Sequence, residues 1–176
     1  MDKLQRDVVI IALMEKLREH ESWCGETHIQ KSTYFLQELA GVDLDFDFIL
    51  YKHGPYSFDL TNEFASMRAD GLLKVVVQPA PYGPSLLPTD AAADLKDRYP
   101  KTLRECSAAI DRIAALLGGK GVAELERLAT ALYVSRNVDA RDPEALASRI
   151  GELKPHISHA AALDAVKTVQ EWSDKP

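Results

Sequence analysis

Apolar residues recur at helical spacing from the start of the chain. Leu4, Val8, Ile11, Leu13 and Leu17 stand among Asp2, Lys3, Arg6, Glu15 and Lys16, which predicts a first amphipathic helix over 4–20. Gly25 interrupts the pattern, Thr27 is a candidate cap, and Ile29, Leu36 and Leu39 predict a second helix ending at Gly41. The period then changes to two. LDFDFILY, residues 44–51, alternates apolar and acidic positions before turning wholly apolar, the pattern of a strand with one wet face, and Gly54-Pro55 is read as the rigid turn that ends it. Ser57 suits the cap of a third helix, because its hydroxyl can accept a backbone N–H left unpaired in the first turn. Leu60, Phe64 and Met67 give that helix its buried stripe, and Gly71 its left-handed stop. Residues 72–78, the turn-rich PAPYGPS and residues 85–87 predict a hairpin, with Thr89 capping a further helix.

The rest of the chain reads as helical. Leu103, Cys106, Ile110, Ile113 and Leu117 form a narrow seam, expected to pack within the chain, ordinarily against the helix of Leu125, Leu128 and Leu132. Asp142-Pro143 opens a short helix, and a last one follows Lys154-Pro155 to about Trp172. The fold class is therefore α+β, mainly α. Helix, helix, strand, helix and hairpin in that order predict a winged helix-turn-helix-like unit over 1–90, continuing into a helical bundle over 91–176 that shares its core.

Composition changes this picture little. A hydrophobic content of 46% with 27% charged residues is that of an ordinary globular protein, and no stretch reaches the roughly 18 apolar residues of a membrane span, so a cytoplasmic location is expected. Cys24 and Cys106 read as packing residues. The net charge of −6 disfavours a partner bound by neutralising phosphates.

Candidate chemistry is sparse. His156 and His159 are three apart but lack further ligands, GGKG at 118–121 lacks the surroundings of a phosphate loop, and Ser57 near His53 lacks a residue to orient the histidine. No catalytic residue, metal or cofactor is assigned, and the expectation is a protein that is not an enzyme. The hexad Tyr51, Lys52, His53, Gly54, Pro55 and Tyr56 instead gathers aromatics and charge on one rigid loop, as a contact surface requires. Asp59 and Glu63 extend that surface along the third helix. Were the helix to read DNA, Asn62 and Arg68 with Lys74 of the hairpin would carry the contacts, opposed by Asp59, Glu63 and Asp70.

HIQKSTYFLQ, FILYKHGPYSFDL, MRADGLL, ELERLATALYV and LKPHIS resemble a group of bacterial winged-helix-like proteins related to the Panacea or SocA-type antitoxin domain, over nearly the whole chain. The resemblance implies a non-enzymatic module that binds and controls another protein, a toxin or a protease component; the surface of Tyr51–Tyr56, Asp59 and Glu63 read from residue chemistry is the expected contact. A winged-helix transcription regulator is the alternative, with nucleic acid the lesser expectation as a partner. A homodimer through other surfaces stays open.

Overall fold

The computed structural model describes residues 1–175. In chain order these form α1 (Lys3–Glu19), α2 (Glu26–Glu38), β1 (Ile49–Tyr51), β2 (Gly54–Tyr56), α3 (Phe58–Ala69), β3 (Leu73–Val76), β4 (Ser85–Pro88), α4 (Asp90–Asp97), α5 (Pro100–Leu117), α6 (Val122–Asn137), α7 (Pro143–Leu153) and α8 (His159–Asp174). The chain is mainly helical, with two antiparallel hairpins, as the α+β reading expects. Among the described residues no helix is long and apolar enough to cross a membrane. Two compact units emerge: Met1–Phe48 with Ser57–Lys120, and Ile49–Tyr56 with the chain from Gly121 on.

In the first unit α1 is the central element. Asp2 caps it by accepting from Gln5 N–H, while the Gln5 side chain accepts from Asp2 N–H. Residues 7–14 and Leu17 are all buried, because α2, α4, α5 and β4 pack around the helix and leave no wide solvent face. The seam of α5 packs on α1 and α2. It consists of Thr102, Cys106, Ile110, Ile113, Ala114 and Leu117; Leu103 is half-buried. The predicted hairpin is present, pairing Leu73 with Pro88 and Val76 with Ser85.

Several local expectations need correction. Gly25, not Thr27, precedes α2 as its cap. Thr89 stands at the start of α4, but its hydroxyl donates to the carbonyls of Gly71 and Leu72 instead of capping the helix. The segment 42–48 does alternate, with Val42, Leu44 and Phe46 buried between exposed acidic residues, yet it pairs with no strand. The side-chain amide of Gln37 takes the place of a neighbouring strand: Phe46 N–H donates to Gln37 Oε1 and Gln37 Nε2 donates to Phe46 O, both at 3.0 Å. Gly54-Pro55 is likewise not the turn. The turn is Lys52-His53, and Gly54, at φ +85°, begins the return strand, with Tyr51 opposite Gly54 and Ile49 opposite Tyr56.

The second unit is built on α6, which packs against α7, α8 and β2. Leu125, Leu128, Ala129, Leu132, Leu146, Ile150, Ala162, Val166 and Val169 fill its interior. Asp142 and Ser158 cap α7 and α8 through their side chains.

Candidate functional site

Three short segments, far apart in sequence, converge inside the second unit. Lys154 closes α7; its ammonium is buried and donates to the carbonyls of Tyr51 and Lys52, which fixes the hairpin turn. The turn carries His53, whose Nδ1 stands 3.7 Å from Glu126 Oε2. His156, two residues beyond Lys154, approaches Glu126 Oε1 to 3.0 Å through Nε2, and the Lys154 ammonium lies 3.7 Å from the same oxygen. Glu126 projects from the second turn of α6 with only 9% of its side chain exposed. A carboxylate can be held this far from water only when cationic groups and donors surround it, and here Lys154, His156 and His53 do so.

Glu126 lines a cleft of about 260 Å³ together with Ala123, Arg127, His156, Ile157, Ser158 and Ala161. Ala123 belongs to the first turn of α6, and Ser158 and Ala161 to the cap and first turn of α8. Two helix N-termini, each a positive dipole end, thus border one cleft with an arginine and a histidine. That arrangement favours an anion in the cleft, beside a carboxylate able to take a proton.

The residues assigned from sequence fall into different places. Tyr51, Lys52 and His53 are exposed on the hairpin of the second unit, while Gly54 and Pro55 are buried and Tyr56 half-buried; the Tyr51 and Tyr56 rings lie 5.7 Å apart. Asp59 and Glu63 stand on α3, in the first unit. Glu63 is no outward acidic group: its side chain is 11% exposed and lies 3.4 Å from Lys3 Nζ and 3.6 Å from Arg6 Nη2. Asn62 and Arg68 are exposed on α3 and Lys74 on β3. His159 pairs with Glu144 at 2.9 Å. Among the described residues no group of three His, Cys, Asp or Glu is placed to hold a metal ion.

Glu126 and Lys154 carry no spacing signal, since they stand 28 positions apart, and spacing pairs His156 with His159, not with His53 or Glu126. The available signal is that KHGPYS, ELERLATALYV and LKPHIS, three of the segments that carry the resemblance, each contribute to the cluster.

No family model matches the chain. It is similar to the DNA ADP-ribosyl glycohydrolase of Thermus aquaticus, with 29% identity over 174 residues covering 86% of this chain. The match covers 45% of that protein, so the chain spans about half the length of the curated relative. This similarity overturns the expectation of a non-enzymatic protein-binding module and of a transcription regulator as its alternative, because the relative is named for a hydrolytic activity.

Proposed function

We propose that the chain acts in the hydrolytic removal of ADP-ribose from DNA, with the Glu126 cleft as its site. The observation that carries this reading is the similarity to a protein of that name, which runs over most of the chain. The chemistry of the cleft is compatible with it. Glycosidic hydrolysis breaks the bond between ribose C1″ and the DNA base, adds water oxygen to C1″ and returns a proton to the base. Glu126, through Oε2, takes the proton of the attacking water and faces the positive charge that develops on the ribose; His156, entering as the imidazolium with Nε2–H on Oε1, gives its Nδ1 proton to the leaving base and ends neutral. Arg127 and the starts of α6 and α8 hold the diphosphate. Lys154 acts as a positioning residue, tying the hairpin turn and Glu126 together.

Charge distribution supports the same choice of cleft. The second unit carries 8 Lys and Arg against 9 Asp and Glu, a net −1, which leaves −5 for the first unit. An anionic substrate therefore meets less repulsion at the second unit. Both units are net acidic, so recognition rests on the ADP-ribosyl group, and binding should depend only shallowly on salt. At about 260 Å³ the cleft is smaller than the roughly 300–1,000 Å³ of pockets that enclose a drug-sized ligand, and suits the ribose and diphosphate better than the whole nucleotide. For the first unit we propose a winged-helix arrangement, which the order α1, α2, α3, β3, β4 supports.

The test is release of free ADP-ribose from ADP-ribosylated DNA by the intact chain. Release is expected, with a loss of about 10²–10⁴-fold in Glu126→Gln, the range for removing a positioned acid–base group. Retained folding of the variant is checked by circular dichroism. If the wild type releases no ADP-ribose, and free ADP-ribose neither stabilises it nor shifts the resonances of Arg127 and Ser158, the proposal is rejected.

A further inference from the structure

In the first unit, two acidic side chains from different helices meet behind a second cleft. Asp7 of α1 is fully buried. Its Oδ2 accepts from Lys3 Nζ at 2.8 Å, while its Oδ1 is buried with no hydrogen-bond donor. Glu63 of α3 meets it at the same ammonium, for Lys3 Nζ stands between the two carboxylates, 2.8 Å from Asp7 Oδ2 and 3.4 Å from Glu63 Oε1. Glu63 Oε1 is also buried with no donor; Lys3 Nζ stands 3.4 Å away without hydrogen-bond geometry. Two orphaned carboxylate oxygens on facing residues have one simple remedy, a hydrogen between them.

We propose that Asp7 Oδ1 and Glu63 Oε1 share one proton, and that this proton is a latch holding α3 to α1. The shared proton turns two mutually repelling carboxylates into an acid–carboxylate hydrogen bond and supplies each orphaned oxygen with its missing partner. When it leaves, two negative charges face each other in a site shielded from water. The wall of the cleft bordered by Lys3, Arg6, Asp45, Phe46, Asn62 and Glu63, about 480 Å³ in volume, then loses a tie.

The surrounding charges set where this happens. Lys3 and Arg6 face the pair from α1; Asp70, 3.7 Å from Lys3 Nζ, and Asp59, on the cleft rim, face it from α3; Asp45 faces it from the 42–48 segment. Burial first, and then the hydrogen bond to Glu63, push the Asp7 carboxyl up to about 7, with Lys3 opposing both. The latch therefore works near neutral pH. It is independent of the Glu126 cleft, which lies in the other unit.

Carboxyl ¹³C resonances followed between pH 4 and 9 test this directly. Asp7 should titrate near neutrality in the intact protein. In Glu63→Gln the amide supplies a permanent donor to Asp7 Oδ1, and the midpoint should fall by about a unit or more. Amide exchange in α3, corrected for its intrinsic rate, should accelerate severalfold between pH 6 and 8 in the wild type, and stay flat in Asp7→Asn and Glu63→Gln, where an amide closes the latch at every pH. An Asp7 resonance that does not change between pH 5 and 8 overturns the shared proton. An α3 exchange profile identical in wild type and Glu63→Gln overturns the latch. Because Glu63 is partly exposed, that variant keeps the test decisive if Asp7→Asn does not fold.

Discussion

A single buried histidine shows how a residue reports its surroundings. His28, on α2, holds Ser22 Oγ at 2.9 Å through Nδ1 and the Leu117 carbonyl at 3.0 Å through Nε2. The carbonyl requires a hydrogen on Nε2, and the serine hydroxyl, which accepts from Cys24 N–H, can donate to Nδ1, so the neutral ring keeps both bonds. Burial accordingly lowers its pKa from 6.5 to about 4, against the raising effect of the Leu117 carbonyl. A depressed histidine contributes stability that is complete above about 6.5 and lost as pH falls towards 4, by up to about 3 kcal/mol. Asp7 acts in the opposite sense: its raised pKa gives stability that is complete below about 3.8 and lost as pH rises towards 7. The two slopes oppose each other between about 4 and 6.5. His28→Gln should therefore expose the Asp7 slope, so that the variant's denaturation midpoint rises as pH falls through that window while the wild type changes little. Urea titrations at four pH values would show it, and parallel profiles for the two proteins would refute it. Neither group was legible in the sequence, because His28 and Asp7 acquire their environments from Leu117 and Glu63, distant in the chain.

Elements were more legible than contacts. Helical periodicity and capping chemistry located α3 closely: Ser57 accepts from Leu60 N–H, Leu60, Phe64 and Met67 are buried, and Gly71 adopts φ +74°. The strand expected over 44–51 shrank to Ile49–Tyr51, because alternation reports which side chains are buried and says nothing of what pairs with the backbone. Gln37 serves Phe46, and Gln30, one heptad earlier on the same face of α2, does the same for Ser57: Ser57 N–H donates to Gln30 Oε1 at 3.1 Å and Gln30 Nε2 donates to Ser57 O at 2.8 Å. Two glutamines thus fix the chain on either side of the β1–β2 hairpin. Gly118 is a similar case. It follows the last residue of α5, and its Cα faces His20 so closely that an added Cβ would lie 2.2 Å from His20 Cβ and 2.8 Å from His20 O. Gly118→Ala must push the ends of α1 and α5 apart, and should cost about 1–3 kcal/mol by thermal or urea denaturation, whereas Gly119→Ala, whose nearest neighbour would be 3.9 Å away, should cost less than half as much. Equal costs at the two positions would remove the steric argument.

At the scale of the whole molecule, neither unit is a continuous stretch of chain. The first unit surrenders Ile49–Tyr56 to the second, and those eight residues supply β1, β2 and the turn that Lys154 holds. The hexad reads as a surface feature in the sequence because exposure of Tyr51, Lys52 and His53 is what polar and aromatic side chains suggest, and the buried part of the loop, Gly54 with Pro55 and the carbonyls of the turn, is invisible in residue type. The consequence concerns truncation. A fragment of residues 1–120 keeps every helix of the first unit, and its core around α1, α2 and α5, but leaves the hairpin without α6, against which β2 packs, and without the Lys154 ammonium. An isolated two-stranded hairpin is marginal in water. The fragment should therefore fold, with native-like amide protection in α1, α2 and α5, while the amides of 49–56 lose protection and any activity of the Glu126 cleft disappears. Hydrogen exchange on the fragment and the full chain makes the comparison. If residues 49–56 stay as protected in the fragment as in the intact protein, the hairpin is stabilised by something other than α6 and Lys154, and the role given to Lys154 in positioning the Glu126 site falls with it.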